Sequence, residues 1–284
     1  MSSTINSEPV NKRVYDITQL FFPDQISSQR QSLAEERSDS DALTVLPLFV
    51  NSLSFPTMPT FLHIFEPRYR LMIRRVMESR DHKFGMVLYN RLGRPQGQLG
   101  ASQFMQYGTV LRVERFEPLP DGRSLVFAQG VSRFKVIKSR IVDGYHVGQI
   151  QRVDDIPIAE EENLESLETS TISRRSTEAQ PLQQPLDSMS TQELFQLGLD
   201  FVRKRRGEGA RWLHPRVLMA YGDIPSDPAQ FPWWLACVFP VSEEEKYALL
   251  STTSARERLK ITAQWARRAE AREWSTPQSF ASLL

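Results

Sequence analysis

Cysteine is nearly absent. The 284-residue chain has one, Cys237. That count excludes an internal disulfide framework, a zinc finger and a RING-type cross-brace, which need several Cys or Cys/His ligands. It fits a reducing compartment. Histidine is scarce too: His63, His82, His146 and His214 are all there are. None stands at metal-ligand spacing from another, and no His-Glu-x-x-His pair supports a zinc hydrolase. Phosphate-cradling signatures are missing. There is no Gly-x-x-x-x-Gly-Lys-Ser/Thr loop and no Gly-Lys pair, and Gly93, Gly97 and Gly100 lack dinucleotide-loop spacing. No Gly-x-Ser-x-Gly elbow occurs. No apolar run approaches the roughly 20 residues that span a bilayer; the stretch Trp233–Val241 is among the longest and contains a proline. The first residues are polar, without the apolar core of a signal peptide. Surplus charge is also lacking. Lys plus Arg number 35 against 34 Asp plus Glu, a net charge of +1, which disfavours a dedicated nucleic-acid binder. The expectation is a chain of the cytoplasm, with the nucleus as a second location, that does not meet a membrane.

What is there divides by composition. Residues 1–41 form a polar arm, expected to be mostly disordered, with one amphipathic segment at 14–22. Residues 42–157 have the texture of strands. LTVLPLFV, GMVLYN, GTVLRVERFE, SLVFAQG, RFKVIK and YHVGQIQRV are short, apolar or alternating, and punctuated by turns at Leu119–Gly122 and Asp143-Gly144. One helix interrupts them: Pro67 suits a first helical position, and Leu71, Met72, Ile73 and Val76 make an apolar stripe. Residues 158–190 are rich in Glu, Ser, Thr, Gln and Pro, which predicts a disordered insertion. Residues 191–274 read as a helical bundle, with capping boxes at Ser242/Glu245 and Ser254/Glu257. Residues 275–284 are a tail.

Chemistry is sparse along this layout. Cys237 sits inside an apolar helix and reads as an inert thiol. Ser132 and Lys135 satisfy Ser-x-x-Lys but lie in an alternating strand, which points the two side chains apart. The run Glu160–Glu162 reads as a solvated patch. Arg203 to Arg206 form a basic cluster at a helix end, suited to dipole compensation, with nuclear import or anion binding as the functional alternative. Trp233-Trp234 reads as a bundle anchor, and Arg174-Arg175-Ser176 as a chance kinase-type match. No catalytic, metal or cofactor site is expected.

One motif is specific. Leu46-Pro47-Leu48-Phe49, then Phe55-Pro56, then Leu62-His63-Ile64-Phe65-Glu66-Pro67-Arg68-Tyr69-Arg70 resembles the opening of the Lon N-terminal domain family. The similarity continues through Gly108-Thr109-Val110, Asp121-Gly122-Arg123, Gly130, Arg133-Phe134 and Gly144-Tyr145, and into the helices at Glu243–Leu250 and Glu257–Leu259. It covers roughly 42–272 and is nearest in texture to the Lon-domain part of fungal RING-finger/Lon-domain proteins. The resemblance implies an α+β fold, a PUA-like curled β pseudo-barrel followed by an α-helical bundle. It also implies a non-catalytic module that recognises protein substrates for degradation, here without ATPase, protease or RING parts. His63, Phe65, Glu66, Pro67, Arg68, Tyr69, Gly122, Arg123, Gly130, Arg133 and Phe134 carry the signature and are expected to be mainly structural. Candidate peptide contacts are Phe55, Met58, Phe61 and Phe104, which fall in stretches read as loops. Expected partners are protein substrates or unfolded polypeptide, with ubiquitin-ligase subunits as a second class. The alternatives are a receptor or shortened form of a RING-type ubiquitin ligase, and a PUA-like binder of RNA or a small molecule.

Overall fold

A computed structural model of the chain describes residues 44–175 and 184–275, the side chains of 171–175 and 272–275 excepted. The arm with its segment 14–22, residues 176–183 and the tail beyond Ser275 lie outside the described residues. The strands are β1 (Thr44–Asn51), β2 (Pro59–Ile64), β3 (Lys83–Tyr89), β4 (Phe104–Pro118), β5 (Ser124–Val142) and β6 (Tyr145–Val153). They hydrogen-bond in the order β2-β5-β4-β3-β1-β6, and β6 returns to β5, so the sheet closes on itself as a pseudo-barrel. Strand β5 makes closure possible. Its first half pairs with β2 from Ser124 to Gln129, and its second half pairs with β6 from Arg133 to Val142. The sequence reading divided β5 into two strands; it is one.

The turns follow local chemistry. At the β5–β6 turn, Asp143 (φ 48°) and Gly144 (φ 85°) both take the left-handed region that a tight hairpin demands. Between β1 and β3, which run parallel, the chain crosses over through helix α1 (Pro67–Glu78). Glu66 is still extended, Pro67 opens the helix, and the Tyr69 and Arg70 amides donate to the Glu66 carbonyl. The buried stripe is Tyr69, Met72, Ile73 and Val76, so Tyr69 rather than Leu71 heads it. These side chains close one end of the barrel over Phe49, Ile64, Phe84 and Leu111. A second interior layer holds Leu48, Phe104, Phe134 and Val136.

The helical part comprises α2 (Ile158–Arg175), α3 (Thr191–Gly207), α4 (Pro215–Tyr221), α5 (Phe231–Val238), α6 (Glu243–Ser251) and α7 (Ala255–Ser275). Its core runs from Leu194 and Phe201 through Trp233, Trp234 and Leu235 to Leu249, Leu259 and Trp265, and includes Phe55 and Met58 from the barrel side.

Helix α2 corrects the expectation of a disordered insertion for residues 158–175. Glu161, Glu165 and Glu168, spaced i, i+4 and i+7, share one helix face, and each meets a partner. Glu161 accepts from Ser254 Oγ (2.9 Å) and the Ala255 amide (2.5 Å) at the start of α7. Glu165 accepts from the Thr191 amide and hydroxyl at the start of α3. Glu168 holds Arg256 Nε (2.9 Å) and Lys260 Nζ (2.7 Å). Composition signalled disorder because these carboxylates look like solvent-seeking charge. They are docked instead on two helix N-termini and two buried cations, where the dipole favours them. Glu161 is therefore not part of a solvated patch.

Candidate peptide-binding cleft

The joint between barrel and helices is made by buried charge. Arg133 of β5 donates to the carbonyls of Leu250 (3.2 Å) and Thr252 (2.5 Å) and to Asp155 (2.5 Å). Arg258 of α7 grips both Asp155 oxygens at 2.6 Å and the Thr252 carbonyl at 3.0 Å. Both guanidiniums lie over the Trp233 ring, at 5.5 and 4.5 Å. Burial pulls Arg133 below its ordinary value, and Asp155 opposes that pull. On the far side of the same joint the Tyr107 amide donates to Tyr247 Oη (2.8 Å), whose phenol burial pushes up to about 12.

Beside this joint a cleft of about 260 Å³ opens between the β1–β2 loop and β2 on one wall and α4, α5 and α6 on the other. The loop is a tight turn. Pro56 occupies its second position, Thr57 its third with φ 62°, and the Met58 amide closes it on the Phe55 carbonyl (3.2 Å). A Cβ at Gly130 would overlap that carbonyl, so glycine there lets the turn lie flat on β5. Pro59, Thr60 and Phe61 line the barrel wall; Tyr221, Cys237, Glu243 and Lys246 line the helical wall. Burial pushes the Cys237 thiol up to about 12, which removes it as a nucleophile. Burial lowers the Lys246 ammonium below its ordinary value, against the pull of Cys237 and Glu243.

Strand β2 is an edge strand. Among the described residues it pairs with β5 alone, Phe61 opposite Phe127 and His63 opposite Leu125. The bond from the Gly130 amide to the Met58 carbonyl sets the phase of the ladder. In that phase Thr60, Leu62 and Ile64 exchange hydrogen bonds with β5, while the backbone groups of Phe61 and His63 face the open edge. The side chains alternate too. Leu62 and Ile64 are buried; Phe61 (48% exposed), His63 and Phe65 (60%) point outward. Phe61 meets Phe127 edge-on at 5.4 Å, Arg115 covers Phe127 at 5.6 Å, and His63 tilts against Phe65 at 5.9 Å.

Of the four candidate contacts, Phe61 stands exposed at this surface and Phe55, itself buried and stacked on Trp233 at 5.8 Å, lines the cleft floor. Met58 and Phe104 are buried away from it, which corrects the expectation for those two: Met58 enters the helical core, and Phe104 meets His146 at 5.0 Å. The stretch 59–64 is a strand, not a loop. Its Thr-Phe-Leu-His-Ile alternation was the available signal, and Lys246 was missed. Among the signature residues, Pro67 starts α1, Tyr69 exchanges hydrogen bonds with the Val50 backbone, Glu66 pairs with Arg68 (2.8 Å) and Arg123 with Asp121 (2.6 Å). Gly122 leaves room for the Arg70 guanidinium, and Phe134 fills the hollow left by Gly85 and Gly108.

Other candidates are spoken for. In the basic cluster, Arg203 meets Asp200 (3.5 Å), Lys204 meets Glu270 (3.5 Å), Arg205 meets Glu208 (2.8 Å) and Arg206 meets Asp223 (4.0 Å). A cavity of about 670 Å³ in the helical part, floored by Phe201, Trp212 and Phe239, has its two arginines paired with Glu208 and Glu245. Among the described residues no cluster of three or more His, Cys, Asp or Glu converges to hold a metal ion, and no helix is long and apolar enough to cross a membrane.

Residues 42–268 match the family model of the ATP-dependent protease La (LON) substrate-binding domain. The chain belongs to the Lon substrate-binding domain family. It is 28% identical over 272 residues to a LON peptidase N-terminal domain and RING finger protein of Schizosaccharomyces pombe, covering 89% of this chain and 51% of that protein. It is 30% identical over 112 residues to Lon protease 2 of Herpetosiphon aurantiacus, covering 39% of this chain and 13% of that one. The Lon-family chain thus spans about half the length of its yeast relative. The N-terminal domain of the Mycobacterium avium complex Lon protease superposes with a TM-score of 0.52 at 13% identity, covering 79% of this chain and 98% of that one. The Lon-type fold, an α+β assembly of closed sheet and helices, is shared with it.

Proposed function

We propose that this Lon-family domain is a non-catalytic receptor that holds an extended segment of a protein substrate as an added strand on the open edge of β2, delivering that protein for degradation. The observation that carries the proposal is the conjunction on β2: backbone groups at Phe61 and His63 that pair with no strand among the described residues, outward aromatics on the same residues, and a cleft along the strand's first half. Strand addition draws affinity from main-chain hydrogen bonds, and alternate side chains find pockets. Six residues are enough for such pairing and short enough to limit sheet-to-sheet aggregation.

A labelled unfolded polypeptide tests this. Binding is expected to protect the Phe61 and His63 amides from hydrogen exchange. Phe61→Ala is expected to weaken it about tenfold, the effect of losing one aromatic anchor. Met219→Ala, at a site 86% exposed on α4 and outside this cleft, should leave it unchanged. Binding that ignores Phe61, or exchange protection confined to the helices, overturns the proposal.

Similarity to the yeast RING-finger protein along most of this chain favours one further reading, in which captured substrates are passed to ubiquitin ligation. Its test is recovery of ligase activity or ligase subunits with the purified domain; their repeated absence removes it.

A further inference from the structure

The open edge of β2 lacks most of the devices that keep one sheet from pairing with another. Natural edges are guarded by charged side chains, bulges or prolines. β2 reads Pro-Thr-Phe-Leu-His-Ile, with no Asp, Glu, Lys or Arg. Its ladder with β5 runs from Pro59 to Ile64 without a register shift, and its one proline stands at the first position. Its shortness is the remaining guard, and that limits growth rather than pairing.

The edge is also self-complementary. Let a second copy lie antiparallel across it, with the two-fold axis at Leu62. Phe61 then faces His63 of the second copy, and His63 faces its Phe61. In that phase each facing pair exchanges two N–H···O bonds, so the open-edge N–H and C=O of Phe61 and His63 are satisfied in both copies. On the outer face each pair sets a phenyl ring beside an imidazole, a favourable cross-strand contact. One step further out, exposed Phe65 comes opposite Pro59 of the second copy, at the mouth of the cleft that Pro59, Thr60 and Phe61 wall. That cleft, about 260 Å³, is below the about 300–1,000 Å³ of drug-sized ligand sites and suits one side chain. Its charged groups are one of each sign, Glu243 and Lys246, and the charge of Glu243 acts on the lysine. An uncharged ring matches that balance better than an ion of either sign.

We infer that, with no substrate bound, two copies of the domain pair through β2 in this register and hide each other's capture edge. The inference rests on the strand-capture reading and adds its regulation: a substrate segment and a second copy compete for the same backbone groups. The pairing is closed, because a two-fold contact uses the same strand on both sides. It is also weak. Each side offers residues 59–65 and the rim of the cleft, against the about 20–30 residues a side of a stable interface. A tighter-binding client therefore displaces the second copy.

Cysteine trapping reads the register. Phe61→Cys and His63→Cys alter exposed sites, and the native Cys237, its thiol pushed up to about 12, stays out of the reaction. Mixed and mildly oxidised, the two variants are expected to cross-link about tenfold faster than either alone, because facing Cα atoms lie about 5.5 Å apart while like residues lie beyond the about 7 Å that a disulfide spans. Sedimentation of the wild-type protein is expected to show a dimer that grows with concentration and dissolves when reduced, alkylated lysozyme is added as an unfolded client. If the mixture cross-links no faster than the single variants, or the wild type stays monomeric up to its solubility limit, the inference falls and strand capture stands. If the crossed dimer forms but the client fails to dissolve it, strand capture on β2 falls and the masking role with it.

Discussion

The joint between barrel and helices treats positive charge in two ways. Over Trp233, Arg133 and Arg258 are sunk out of solvent and reach Asp155 and backbone carbonyls. A short way off, the half-buried Lys246 has no hydrogen bond or ion pair among the described residues and shares its cleft with Glu243, whose charge acts on it. Taking a charge out of water costs several kcal/mol unless partners offset it. The arginines therefore act as architecture, since their partners fix β5 against α7. The lysine is balanced at longer range, by the charge of Glu243 one turn earlier on the same helix.

That contrast can be broken most severely at Asp155. Asp155→Ala leaves two buried guanidiniums sharing only carbonyls and an indole. It is expected to cost about 3 kcal/mol, the low end for removing one partner of a buried pair because Asp155 is itself partly in water. Denaturant unfolding measures it, and a cost under 1 kcal/mol would show the network to be ornamental. The paired side also has a pH signature. Burial alone would raise the Glu168 carboxyl, but the hydrogen bonds from Lys260 and Arg256 overcome it and hold the group below its ordinary value of 4.5. A carboxyl lowered by folding stabilises above its unfolded value and loses that contribution as pH falls through the folded one. Wild-type Tm should thus drop more steeply below about pH 4.5 than that of Glu168→Gln; parallel curves would contradict it. The smallest effect belongs to the unpaired side. Lys246→Met should be neutral or stabilising by up to about 0.5 kcal/mol, read as a slight rise in Tm. A loss comparable to that of Asp155→Ala would mean that Lys246 is architectural after all.

Much of this was legible from pattern. The period-two runs gave five of the six strands in position, and the caps at Ser242 and Ser254 place α6 and α7 correctly: the Glu245 and Glu257 amides donate to them at 3.2 and 3.1 Å. The reciprocal half of each box is absent, because Glu245 turns to Arg268 and Glu257 to Lys260. What escaped the sequence was whatever depends on a distant partner. Phe55 and Phe104 look idle until Trp233 and His146 fold against them. The glutamates of α2 look solvated until two helix starts are placed beneath them. Strand β2 hid behind Pro56 and Pro59, which punctuate like a loop. Lys246 stands three residues after Glu243; the two interact without forming an ion pair, while Glu243 also lies 3.8 Å from Arg91.

The length of β5 ties the outward face of β2 to the barrel seam. Because β2 and β6 occupy successive stretches of that single strand, one alignment serves both the barrel seam and the exposed rim. A slip of one residue against β2 would turn Phe61 and His63 inward and put Leu62 and Ile64 in their place. The register that closes the seam on β6 is therefore the same register that sets which side chains β2 turns outward.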